Sequence, residues 1–444
     1  MAFGEAGTLK VGIIGGGITG LTAAYRLSMM GHQVAVFEAA PGLGGQVATC
    51  LVGGVAVERF YHHIFTSDEE IIGLIQELGL GPRLRWLPSS VGLYYGGRVY
   101  DFTTPGHLLR FRPLSLVDRL RLGLVSLYLR HLGDWAPLEK ITAQEWITRF
   151  AGERNYQVVW GPLLRGKFGD KAALVGMVWF WGKMRTRFAS RGRSMQRERL
   201  GYLEGSFGLL IDAMAERIRN QGGQIHLSAP VTGIRVEGQK VAGLEAGGGV
   251  HPCQAVVATV ASPIFLRLVP GLGGDYAQKL ESARYQATLC LLLVLRHSLS
   301  HIYWLNIGDP EFPFVGAIEH TNLVDPSFYD GRRILYLSNY LDPGDPLYPA
   351  TALQILEKYI PYLQRVNPRF QKDWIEKYFL FRDEAAQPII TTHYSVPSHV
   401  TPIQGLYLAN STQIYPQDRG MNYSIHLGNE VARIASMLSL KEGD

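Results

Sequence analysis

Three glycines and an acid carry the clearest chemical purpose in this chain: Gly15, Gly17 and Gly20, spaced Gly-x-Gly-x-x-Gly, with Glu38 further on. Such glycines hold a diphosphate against backbone amides, and the acid accepts the hydroxyls of an adenosine ribose, so the chemistry is that of a dinucleotide coenzyme. A 2′-phosphate would meet like charge at Glu38, which disfavours NADP. After Ala39 comes a second glycine pair, Gly44-Gly45, followed by Gln46. That pair suits a longer dinucleotide whose far half continues past the first unit, and so favours FAD over NAD.

Glycines at this spacing work only between a buried strand and a helix. Val11 to Ile14 is apolar and runs straight into Gly15, Leu21, Ala24 and Leu27 keep helical spacing, and Gly31 ends the helix. Val34 to Phe37 is a second strand that delivers Glu38. Gly15 makes the tight turn, Gly17 admits the pyrophosphate, and Gly20 allows close packing. The first-turn amides, those of Ile18 and Thr19 among them, face the phosphates with the positive end of the helix dipole.

Gly15 to Glu38 with Gly44-Gly45 resembles the flavoproteins that include protoporphyrinogen oxidase, phytoene desaturase and the flavin amine oxidases. The resemblance implies an α/β plus α+β fold: a Rossmann-like FAD-binding domain of the glutathione-reductase type, with an inserted substrate domain of antiparallel sheet and helices. The expected division gives 1–80, 201–265 and 385–444 to FAD, and 81–200 and 266–384 to substrate. It also implies that Tyr61, His62 and His63 pass beside the isoalloxazine ring, with ordinary packing as an equal reading, and that the backbone of Val231 faces the adenine. Where the family usually carries arginines around the glycine pair, this chain has Gly42 and Gln46. Asn410-Ser411 replaces the family's usual Gly-acid pair near the C-terminus, so Asp418 is expected to take the acidic role. Asn422 and Tyr423 open a final helix, whose amides suit negative charge on the flavin's N1–C2=O side.

Elsewhere the signals are local. Ser67-x-x-Glu70 and Thr142-x-x-Glu145 have capping-box form, and Gly96-Gly97 makes a two-residue hairpin turn within Val91 to Phe102. Helices are expected over Gly205 to Asn220 and Ala352 to Leu363. Strands are expected at Gln224–Leu227, Val231–Val236, Val241–Glu245 and Ala255–Val260, with an antiparallel sheet over residues 285–340. Ser115 to Leu132 is a basic amphipathic helix, a form that covers a domain core or lies on an anionic membrane. Lys183, Arg185, Arg187, Arg191, Arg193, Arg197 and Arg199 stand against Glu198 alone; this window is either a solvated face or a wall that attracts an anionic substrate. Val178 to Trp181 adds bulk for core packing or a ring-binding cavity, so Tyr61, Trp181, Arg185 and Arg187 are the substrate candidates.

The 444 residues allow two or three domains, and 47% hydrophobic content supports real cores. A net charge of +5 does not call for nucleic acid. Cys50, Cys253 and Cys290 lack CxxC spacing, so neither disulfides nor a metal site is expected. The first seven residues have no signal-peptide pattern, and Leu289 to Leu295 is too short to span a bilayer. A cytoplasmic protein is expected, with peripheral membrane contact as the alternative.

The expected reaction is desaturation or oxidation of an apolar small molecule, with or without an anionic group, by hydride transfer to flavin N5, with oxygen or quinone as acceptor. Amine oxidases of the resembled family usually offer a lysine from the substrate-domain sheet, and no lysine lies between Lys279 and Lys358. That absence favours the protoporphyrinogen oxidase and phytoene desaturase branch. His62, His63 and His393 are the candidates for a base. A redox-neutral mutase or isomerase, an amine oxidase, and a non-catalytic FAD or lipid binder are the alternatives.

Overall fold

In a computed structural model, which describes residues 7–190 and 198–438, three separate stretches of chain build one parallel sheet. Its strand order is Gln224–His226, Gln33–Phe37, Lys10–Ile14, Ala255–Ala258 and Leu406–Leu408. All four pairings are parallel, with Gly12 opposite both Ala35 and Val256. The inner strands are apolar at nearly every position because helices and a second sheet cover both faces.

The helices Ile18–Met29 and Met421–Ser436 pack together on one face. Their closeness is set by Gly428, where a β-carbon would lie 2.7 Å from the carbonyl oxygen of Thr19. A three-stranded antiparallel sheet, Val231–Glu237, Lys240–Ala246 and Gly249–Pro252, buries its apolar side with Phe37 and Ala258. The C-terminal loop, more than 380 residues from the glycine motif, is thereby carried back to the first strand's end of the molecule.

The second large sheet has seven strands, in the order Ile375–Pro388, Tyr285–Leu295, Arg333–Leu341, Gly316–Glu319, Trp304–Ile307, Val91–Tyr95 and Arg98–Asp101. The hairpin turn at Gly96-Gly97 forms with positive φ at both residues, as a primed turn requires. Helix Ala352–Val366 covers one side of this sheet. Beside it stands a helical block whose core includes Trp146, Trp160, Phe168, Trp179 and Trp181. Each fully buried side chain of this kind contributes about 1.5–3 kcal/mol.

Several local expectations change. The strands within 285–340 pair antiparallel as expected, but the sheet extends beyond them, where Trp304–Ile307 runs parallel to Val91–Tyr95, a strand delivered from a distant part of the chain. The strand Ile375–Pro388 carries charges along an exposed edge, which masks its period in the sequence. Thr142 and Glu145 form the expected capping box, whereas Ser67 and Glu70 do not. There the helix starts after Asp68, whose carboxylate accepts from the Phe65 amide, while Glu70 accepts from Asn429 and pairs with His426.

Candidate active site

The glycine loop has the backbone its composition implies. Gly15 has φ +105°, and a β-carbon on Gly20 would lie 2.0 Å from the Gly15 carbonyl oxygen, so the turn and helix are in contact. The helix begins with Gly17 extended and no side chain capping it, which leaves first-turn amides for an anion. The second glycine pair lies against this loop: the Gly44 amide donates to the Gly16 carbonyl at 2.8 Å. The nearest atom to a β-carbon placed on Gly17 would be the Gly45 α-carbon, 4.0 Å away. The two glycine segments are thus bonded neighbours, and the space at Gly17 is a slot that no side chain approaches within 4.0 Å, open to a pyrophosphate.

Glu38 stands at the rim of that slot. Its carboxylate accepts from the Gly16 amide at 2.6 Å and the Ala40 amide at 2.8 Å, and each oxygen keeps a lone pair for a ribose hydroxyl. Ala39 lies in the bend between them. Val231 packs into the same apolar cluster as Phe37, whose ring stacks on His226. These residues fit the adenosine half of FAD.

Gln46, one residue past the slot, lines a cavity of about 490 Å³ that also receives Tyr61, His62, His63, Asn422 and Tyr423. Gln46 thus carries the chain directly from the slot to the cavity wall. Ser338 donates to the Tyr61 hydroxyl at 3.5 Å, and the Tyr61 ring meets Trp304 edge-on. His62 bonds the Phe60 carbonyl and His63 the Tyr303 hydroxyl, each through Nδ1. Burial pushes His62 down to about 4 and His63 to about 3, so both rings are neutral at ordinary pH and weakly basic. Asn422 accepts from the Ile71 amide, and the Tyr423 hydroxyl meets that of Thr186 at 3.4 Å.

Asp418, expected to take the acidic role, lies among cationic partners. Its carboxylate lines the cavity but is already committed: Oδ2 meets Lys167 at 2.5 Å and Lys183 at 3.0 Å, and Oδ1 accepts from Trp179 at 3.3 Å. Burial would raise its pKa, but the two ammonium groups hold it well below the carboxylate range. Lys167 is pushed down, by burial first and then by its cationic neighbours Lys183 and Arg419. The sheet strands between Lys279 and Lys358 bring no lysine, and Lys377 on the edge strand Ile375–Pro388 is exposed and does not line the cavity, yet helices Gly161–Phe168 and Met177–Ala189 bring two.

Arg419 is the other residue that sequence reasoning missed. Its guanidinium donates to Gln46 at 2.9 Å, Gln387 at 3.0 Å and the Tyr340 hydroxyl at 3.1 Å. The arginine absent beside the glycine pair thus arrives from the C-terminal loop. Gln46 in turn donates to Asp383 at 2.8 Å.

Three further candidates are corrected. Trp181 is 2% exposed within the helical core and does not line the cavity; Trp179, two residues earlier, does. Arg185 follows Trp181 outward and lies over its ring at 5.1 Å. Arg187 does reach the cavity, over Trp304 at 5.5 Å. His393 is exposed, with its amide bonded to the Glu139 carbonyl, away from the cavity. Arg191, Arg193 and Arg197 of the basic window lie outside the described residues, and Arg199 donates to the Trp86 carbonyl.

A glycine slot followed along the chain by the wall of an apolar cavity, at the start of the last helix, fits a flavoprotein of the dinucleotide-binding class. The chain belongs to the family of flavin-containing amine oxidoreductases, whose profile matches residues 18–433. It is 29% identical over 308 residues to the flavin-dependent L-tryptophan oxidase RebO of Lentzea aerocolonigenes, covering 63% of this chain and 64% of that protein. It is 26% identical over 277 residues to a coproporphyrinogen III oxidase of Mycobacterium leprae, covering 58% and 60%. The matched region thus spans about six-tenths of these curated relatives. A solved oxidoreductase from Methanosarcina mazei shares the fold, with a TM-score of 0.75, 19% identity and coverage of 96% and 100%. Among the described residues, no helix is long and apolar enough to cross a membrane.

Proposed function

We propose that this chain oxidises or desaturates a bulky apolar small molecule bearing an anionic group, within the cavity beside the flavin. Bound FAD supplies a hydride acceptor at N5. The protein's part is to bind, orient and exclude water. Phe60, Leu93, Phe102, Leu108, Trp160 and Phe180 provide an apolar wall for a large skeleton.

The charge balance of the cavity carries the reading. Arg130, Lys167, Lys183, Arg187 and Arg419 line it against only Asp68 and Asp418. Burial raises Asp68 to about 6, which weakens the acidic side further. The excess of cationic over acidic side chains on this lining favours an anion and opposes entry of a protonated amine. With His62 and His63 neutral and weakly basic, the arrangement suits hydride removal that needs no strong protein base.

The test is anaerobic bleaching of the flavin absorbance by a panel of porphyrinogen, carotenoid, amine and nucleotide-sugar compounds. Carboxylate-bearing, carbon-rich compounds should bleach it, and Lys183→Gln should raise the half-saturating concentration about tenfold or more. Bleaching by simple amines alone, or turnover with no net oxidation, would overturn the reading.

A further inference from the structure

Helix Leu116–His131 is apolar on two sides. Leu122 and Leu129 face inward and are buried in the helical core. At about 100° per residue, Leu116, Leu127, Leu120, Leu124, Val117 and Tyr128 share another arc of about 120°. All six are exposed, Val117 at 73% and Leu124 at 68%, and exposed Leu109 on the preceding helix adds to them. A helix that served only to cover a core would put polar residues there. So large a cluster of exposed apolar side chains on one helix marks an interaction surface.

The charges around the stripe indicate what it meets. Arg121 borders one edge of the arc, and Arg119 and Arg130 border the other. Arg121 donates to the carbonyls of Phe150 and Arg149, and Arg119 to that of Leu114, which fixes cationic groups beside the apolar band. Arg110 and Arg112 are exposed on the adjoining segment. The helix's one acid, Asp118, sits on the inner side and accepts from Ser115. An apolar stripe between arginines complements the interface of an anionic bilayer, where apolar side chains enter the acyl boundary and guanidinium groups meet phosphates.

We infer that this helix docks the protein on an anionic lipid surface. The position is apt: Leu127 belongs to the stripe and also lines the cavity, as do Leu108 and exposed Pro105 of the preceding helix. Docking there turns the cavity toward the lipid, so an apolar compound passes between bilayer and cavity without crossing water.

The experiment is sedimentation of the flavin-loaded full chain with vesicles of phosphatidylcholine alone or mixed equally with phosphatidylglycerol. The protein should pellet with the mixed vesicles and lose most of that binding at high salt or on pure phosphatidylcholine. Leu120→Glu with Leu124→Glu, neither of which lines the cavity, should weaken binding about tenfold or more. Leu116→Ser with Val117→Ser is a milder second pair, and flavin absorbance and circular dichroism report that both variants fold. Failure of the wild-type protein to pellet, or equal pelleting of variants and wild type, would overturn the inference. So would a dimer that the variants split, with no vesicle binding by either form. Binding is read without turnover, so this result stands apart from the proposed oxidation.

Discussion

Lys167 and Asp418 are 251 residues apart in the chain and 2.5 Å apart in the folded protein. One comes from a helix of the aromatic block, the other from the loop that starts the final helix. Lys183 closes on the same carboxylate oxygen at 3.0 Å, so a single acid holds two ammonium groups at the cavity wall. The pairing ties the helical block to the cofactor end of the protein.

Removing the acid should therefore cost more than removing either base. Asp418→Ala leaves two neighbouring cations uncompensated in a largely buried place, and a loss of about 3–5 kcal/mol is expected in denaturant unfolding of the flavin-loaded protein. Lys167→Met leaves the Lys183 pair intact and should cost clearly less. Equal losses for the two variants would show that the carboxylate is not the shared partner.

The glycine loop was legible because its physics is local: turn, helix start and close packing are all written within residues 11–38. Lys167 was not, since nothing in the sequence around it separates it from a solvated helix lysine, and only its contact with Asp418 gives it a role. Trp179 and Trp181 show a different limit. Two residues apart on a helix they point about 200° from each other, so the aromatic run Val178 to Trp181 announces bulk without saying which ring faces the cavity. Ser67 and Asp68 are adjacent residues with the same capping chemistry, and the helix starts after Asp68 although that carboxylate turns back to the Phe65 amide instead of capping it.

The two glycines of the loop should separate cofactor binding from folding. Gly17 has φ −76°, open to any residue, and a β-carbon there meets nothing nearer than 4.0 Å. Gly17→Ala should fold normally yet retain flavin about tenfold or more weakly, because its methyl enters the slot. Gly20→Ala puts a methyl 2.0 Å from the Gly15 carbonyl and should lower thermal stability as well as flavin content. Full flavin occupancy in Gly17→Ala would place the pyrophosphate elsewhere.

Glu58 should give the protein a pH-dependent weakness. Its carboxyl is fully buried, accepting from the Phe207 amide at 2.6 Å and the Tyr202 hydroxyl at 3.0 Å. Burial raises it to about 7, against those two donors. The folded state thus holds the proton more tightly than the unfolded chain does. That contribution is complete below the ordinary carboxyl value of 4.5 and is lost as pH climbs through about 7. Glu58→Gln has no proton to lose, so between about pH 5 and pH 8 its stability should shift relative to wild type by about 3 kcal/mol in the variant's favour. Unfolding midpoints at the two pH values test this, and a constant difference would refute it.

Arg419 should resist conservative replacement. Its fork reaches Gln46, Gln387 and Tyr340 at once, joining the residue after the glycine pair to strands Ile375–Pro388 and Arg333–Leu341 of the seven-stranded sheet. A lysine carries the charge but cannot present donors in that fixed plane. Arg419→Lys should therefore keep the cavity's charge yet free Gln46, and flavin affinity should fall about tenfold, measured by fluorescence on release of the coenzyme. If charge alone mattered, Arg419→Lys would bind like wild type while Arg419→Met would fail. The geometric account requires both to be weakened, with the lysine variant recovering only part of the loss.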